Sequence, residues 1–189
     1  MSQADIDAFV DCAGYGTLTP EGVTTAVVTK SIPVNERHSS NGFTALHWAV
    51  VFRRRELVIA LLVVGADANV KHTSGATSVA WSVACSTTDI LQLLIYGGGS
   101  VNESDNGSWT SLIAIPKYGD AAAKLEVLLA CPELELDAEL NNGTAEEWAV
   151  LRQRHHEFVA TIAQERARRK RWSLLRSLWI VATISLSAP

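Results

Sequence analysis

A period of about 33 residues governs this chain. Gly42-Phe43-Thr44-Ala45-Leu46 is answered one period later by Gly75-Ala76-Thr77-Ser78-Val79. Thr110-Ser111-Leu112 follows Thr77 at the same distance, and Thr144-Ala145-Glu146 comes next, one residue late. The second half of each unit keeps step. Leu61-Leu62 is matched by Leu94-Ile95 and, one residue late, by Leu128-Leu129. Gly65 is matched by Gly98, and Asn69 by Asn102. A repeat of this length is one supersecondary unit that cannot bury its own apolar face, so neighbouring units must stack.

Local chemistry predicts what each unit contains. Thr44, Thr77, Thr110 and Thr144 each precede a short apolar run, where a hydroxyl can accept from an orphan backbone N–H and start a helix. Leu57, Val58, Leu61 and Leu62 form the apolar stripe of a second helix. Gly65 and Gly98 follow its last turn, where a left-handed backbone costs glycine least. Asn41-Gly42, Ser74-Gly75, Asn106-Gly107 and Asn142-Gly143 mark turns between units. Each unit therefore reads as turn, helix, helix, loop, and the fold as an all-α stack.

The stretch "GFTALHWA" resembles the T-P-L-H-x-A signature of the ankyrin repeat family, and "VVGADAN" its G-A-D-x-N loop. The resemblance extends over roughly residues 4–170. It implies an ankyrin-repeat solenoid of helix-turn-helix units closed by capping repeats. The expected division is an N-terminal capping unit 1–39, repeats 40–72, 73–105 and 106–139, a C-terminal capping repeat 140–171, and a basic-apolar tail 172–189. Two departures stand out: Arg53 replaces a usual glycine, and Ser78 and Ala80 replace the signature's Pro and His.

His47 occupies the signature histidine position, and the resemblance implies a hydrogen-bonding tie between turns. A buried imidazole needs partners, and Thr44 one turn earlier offers a hydroxyl. A metal site needs three or four ligands, yet the equivalent positions one and two periods on are Ala80 and Ile113. His155-His156 reads as helix surface, with a two-ligand metal clip as the alternative; His38 and His72 fall in loops expected to be open to solvent. No Walker loop, dinucleotide GxGxxG, HExxH or GxSxG occurs, and Gly97-Gly98-Gly99 ends a helix instead of opening one. The chain is therefore read as no enzyme, with no cofactor and no metal.

The resemblance places partner contacts on variable positions of the concave face. In register these are Phe43, Ala76 and Trp109; Val51, Ala84 and Lys117; and Phe52, Cys85 and Tyr118. Phe43, Phe52, Trp109 and Tyr118 would present aromatics to a protein partner, with Lys71 and His72, Glu103 and Asp105 as a polar rim. Thr44, His47, Gly65, Thr77, Gly98, Thr110 and Thr144 are expected to be structural. Trp48 and Trp81 repeat at the same period and are expected to pack inside.

Charge divides the molecule. Residues 1–151 hold 8 basic and 18 acidic residues, a net −10, whereas 152–189 hold 8 basic and 2 acidic, a net +6. The acidic body argues against nucleic acid. Three separated cysteines without a CxxC fit a reducing compartment, cytoplasmic or nuclear, and the N-terminus has no signal-peptide pattern. Arg166, Arg168, Arg169, Lys170 and Arg171 read as a solvated helix end, with nuclear import or an anionic surface as alternatives. The apolar run Leu178–Ile184 is too short to span a bilayer. The primary reading is a scaffold or adaptor that binds another protein. The alternative is a membrane-associated adaptor using 165–189, and a lesser one a regulatory part of a larger enzyme.

Overall fold

A computed structural model describes residues 2–115, 121–140, 143–145, 147 and 156–186. The helices are α1 Gln3–Gly14, α2 Pro20–Thr24, α3 Ala45–Val51, α4 Arg55–Val63, α5 Ser78–Cys85, α6 Thr88–Tyr96, α7 Ser111–Ala114, α8 Ala121–Leu129 and a C-terminal helix His156–Leu186. A π-helical turn, Thr25–Thr29, prolongs α2. Residues Glu139–Leu140 and Gly143–Thr144 form a minimal antiparallel pair in the loop after α8.

The repeated threonines cap the first helix of each unit. Thr44, Thr77 and Thr110 have extended backbones, and their hydroxyls accept from the N–H groups of His47, Ala80 and Ile113 at 3.3, 3.3 and 3.4 Å. Thr144 makes a reciprocal pair with Glu147: the carboxylate accepts the Thr144 N–H at 2.7 Å and the hydroxyl accepts the Glu147 N–H. The second helices end alike. Gly65 and Gly98, at φ +94° and +88°, close the last turns, with Ala66 N–H donating to Leu61 and Gly99 N–H to Leu94.

First helices pack on first helices, α1 on α3, α3 on α5 and α5 on α7; second helices do the same, α2 on α4, α4 on α6 and α6 on α8. The shared core is built from Leu46, Ala49 and Val50 of α3, Leu57, Val58 and Leu61 of α4, and Val79, Val83, Ile90, Leu91 and Leu94 of the next pair, all buried. Leu62 lies at its edge, half-buried and tight against Gly97.

Polar clamps join each unit to the next. Asn35 donates to the Gly65 carbonyl and accepts from Asp67 N–H. Asn69 bridges Gly98 and Ser100 in the same way, and Asn102 bridges Glu133 and Glu135. One amide thus satisfies a donor and an acceptor of the neighbouring loop three times along the stack. Cations close other carbonyls. Arg54 donates to Ala13, Gly16 and Leu18, reaching back to the end of α1. Lys124, buried, donates to Val83 at 2.7 Å. Arg169 donates to Cys131, Pro132 and Leu134. The inter-unit turns also touch: a side chain on Gly75 would collide with Asn106, whose amide donates to Thr73 O at 2.9 Å.

The C-terminal helix departs from expectation. The basic block does not end it; one helix of 31 residues runs from His156 to Leu186. Phe158 and Ile162 are buried against the stack, Val159 is half-buried, and Ala163 is exposed. Glu165 explains the continuity through the block. It binds Arg168 at 2.6 Å and Arg169 at 2.8 Å, and those guanidinium groups pull its carboxyl down to about 2. Arg166 pairs with Asp137 at 2.8 Å.

Candidate functional site

The site begins at the cap of α3. The Thr44 N–H donates to His47 Nδ1 at 3.1 Å, and the Thr44 hydroxyl lies 2.9 Å from the same nitrogen. A backbone N–H can only donate, so Nδ1 accepts and the proton of the neutral ring sits on Nε2. Nε2 has no hydrogen-bond partner of good geometry, although the Ala76 backbone lies close enough to favour protonation. Burial outweighs that influence and pushes His47 down to about 4. The imidazole is a neutral side-chain cap for the turn. Repeat two has Ala80 there and keeps only the threonine half of the arrangement.

An aromatic row grows from this cap. Phe43 stacks on Trp48 with centroids 4.3 Å apart and planes 16° from parallel. Trp48 stacks on Phe52 at 5.4 Å with the same angle. Phe43 also meets His72 at 4.3 Å and Trp81 at 5.5 Å, so the row crosses from the first repeat into the second. Such contacts fix ring orientation beyond simple area burial. Trp48 and Trp81, expected inside, are only half-buried, although their indole N–H groups are shielded from water and unpaired. His38 and His72, expected open, are half-buried: His38 lies 3.3 Å from Asp11, and burial lowers the His72 pKa. Phe52 is 52% exposed at the end of the row.

Beyond Trp81 the row is interrupted by a slot of about 210 Å³. Trp81 and Trp109 line it together with Ala76, Ala80, Ala84 and Ala114, and Ser74, Asp105 and Thr110 add polar atoms. The repeat register explains the gap. Where the first repeat carries Phe43 and Trp48, the second carries Ala76 and Trp81 and the third Trp109 and Ala114. Each unit after the first has lost one ring of the pair. Asp105 holds the far wall by accepting the backbone N–H of Trp109 at 2.9 Å and of Gly107 at 2.8 Å.

The residues expected to meet a partner are therefore distributed unevenly. Phe43, Phe52 and His72 belong to one cluster, and Trp109 stands across the slot. Lys71 is held by Glu103 at 2.8 Å and by the Ser104 carbonyl, bridging two repeats. Tyr118 and Lys117 lie outside the described residues. The asparagine clamps and Trp81 are not among the expected site residues, although the spacing of Asn69 and Asn102 already marks the clamps in the sequence. Among the described residues no group of three or more His, Cys, Asp or Glu side chains could hold a metal ion.

The ankyrin repeat family model matches residues 41–73. No curated protein matches the chain. Among the described residues no helix is long and apolar enough to cross a membrane. Ankyrin repeats generally mediate protein–protein interaction and are typically without catalysis. With its capped turn, its left-handed Gly65 and its Asn69 clamp, the stretch 41–73 is an ankyrin repeat, and the chain is an all-α stack of helical pairs built on it.

Proposed function

We propose that this protein is a scaffold or adaptor that holds another protein against the aromatic row, and that the slot between Trp81 and Trp109 receives an apolar side chain of the partner. The supporting observation is a slot between the indoles of Trp81 and Trp109, walled by alanines and by the polar Ser74, Asp105 and Thr110, at the end of the row of stacked rings. A dry pocket of about 150 Å³ suffices for a benzene ring, so 210 Å³ admits the side chain of a leucine or phenylalanine. Large rings already held by their neighbours lose little freedom on binding, which favours them as anchors. Phe43, Phe52 and Trp109 supply that surface, His72 backs Phe43, and Lys71 with Glu103 and Asp105 forms the rim. Tyr118 is assigned to the same face by register alone. Residues 1–39 and 140–171 serve as capping units in this reading, and the free thiols of Cys12, Cys85 and Cys131 suit a cytoplasmic or nuclear setting.

Affinity capture from native extract tests it. The double variant Phe52→Ala/Trp109→Ala is expected to lose, by about 30-fold or more, at least one protein that wild type retains, the scale of a hot-spot truncation. A Val63→Ala control, exposed on α4, should retain it. Identical profiles for all three proteins would remove this face from consideration.

A further inference from the structure

The distal half of the C-terminal helix has chemistry that the repeats do not use. From Arg166 onward the sequence holds six basic residues and no acid. Arg166, Arg168 and Arg169 are engaged by Asp137 and Glu165. Lys170, Arg171 and Arg176 are exposed and make no ion pair among the described residues. Between them Trp172 is 62% and Leu175 46% exposed, three residues apart and so on one side of the helix. At 100° per residue, Arg171 and Arg176 flank that stripe on its two sides. The sequence then turns apolar, and from Leu178 to Leu186 only Thr183 and Ser185 are polar.

We propose that the helix from Lys170 onward lies on an anionic lipid surface, with Arg171 and Arg176 at the headgroups, Trp172 and Leu175 at the acyl boundary, and Lys170 on the opposite side adding to the attraction at longer range. Exposed apolar side chains bordered by long cationic ones are what a bilayer interface accommodates: the stems reach past the apolar stripe and the charges stay wet. Tryptophan favours the same depth. The run from Leu178 to Leu186, nine residues at 1.5 Å each or about 14 Å, is less than half the ~30 Å of a hydrocarbon core, so the helix enters the interface and does not cross. Charge selects the occupant. A second copy of this helix would bring cation against cation, because no acid after Glu165 is available to pair across the contact. An anionic leaflet draws every one of these cations. The acidic body would be repelled from that leaflet, leaving the aromatic row free for a protein.

Vesicle co-sedimentation of the full chain tests the proposal, with analytical ultracentrifugation beside it. Phosphatidylcholine vesicles containing about one-third phosphatidylserine should bind the protein, and phosphatidylcholine alone should bind it far less. The triple variant Lys170→Ser/Arg171→Ser/Arg176→Ser should partition about 100-fold more weakly. Trp172→Ser/Leu175→Ser should also lose binding, and about 1 M salt should weaken that of the wild type. All these side chains are exposed, so circular dichroism should show unchanged folding. Failure to bind the anionic vesicles, or equal binding by the triple variant, overturns the proposal. So does a dimer that Trp172→Ser/Leu175→Ser dissociates, since that outcome assigns the stripe to a second copy.

Discussion

The first and second repeats share one backbone and differ in what fills it. Both start their first helix at a threonine, pack a buried leucine at the same place, Leu61 and Leu94, and end the second helix on a left-handed glycine. Both send an asparagine into the next loop. The first adds an imidazole to its cap and two stacked rings beside it; the second has alanines at the positions of Phe43 and His47. The frame thus needs only a few local residues, while the surface that carries the rings varies independently. The family model matches residues 41–73, the unit that carries the signature histidine. The slot lies where the rings thin out.

The largest expected effect concerns what the two repeats share. Leu61→Ala and Leu94→Ala each remove a side chain with no exposure, and each should cost about 3 kcal/mol in urea unfolding. Costs differing by more than about 2 kcal/mol would mean that the two frames are not equivalent.

An effect of similar size separates them. His47 titrates at about 4 in the fold and near 6.5 when unfolded. Between those values the unfolded chain binds the additional proton, so stability rises with pH. The contribution is complete above pH 6.5 and is lost as pH falls towards 4, about 3 kcal/mol in all. His47→Gln should flatten the stability profile in that window, bringing the first repeat to the condition of the second. A variant profile as steep as that of wild type would place the acid sensitivity elsewhere.

The clamps come next. Asn69→Ala and Asn102→Ala each remove two hydrogen bonds to the next loop, at a cost of about 1–3 kcal/mol read from urea midpoints. Unequal losses would show which junction holds the stack more tightly. Arg53→Gly should be nearly neutral, within about 1 kcal/mol. It relieves a residue at φ +56°, yet removes the 2.7 Å bond from Arg53 Nε to the Cys85 carbonyl at the end of α5. A clear gain in melting temperature would mean that the bond contributes little.

The frame is legible in the sequence because its determinants are local. A threonine before an apolar run and a glycine after one act within a single turn of helix, so their spacing displays the stack directly. The roles of Arg54, Lys124 and Arg169 are not legible there, because their acceptors are backbone carbonyls some 35 to 41 residues away, which no side-chain pattern announces. Register locates the rings but not their mutual stacking, which depends on how far one turn leans over the next. The basic block reads as a helix end only when charge alone is weighed. Alanine, arginine, lysine and leucine are all good helix formers, and Glu165 compensates two of the cations, so the helix continues.

The most direct test of the proposed binding face is to fill its slot. Ala80→Phe places a ring between Trp81 and Trp109 at a half-buried position, where it can stay without disturbing the core. Partner capture from native extract should then fall by about 30-fold or more, while the unfolding midpoint changes little. Undiminished capture by a folded Ala80→Phe protein would contradict the assignment of partner binding to this slot.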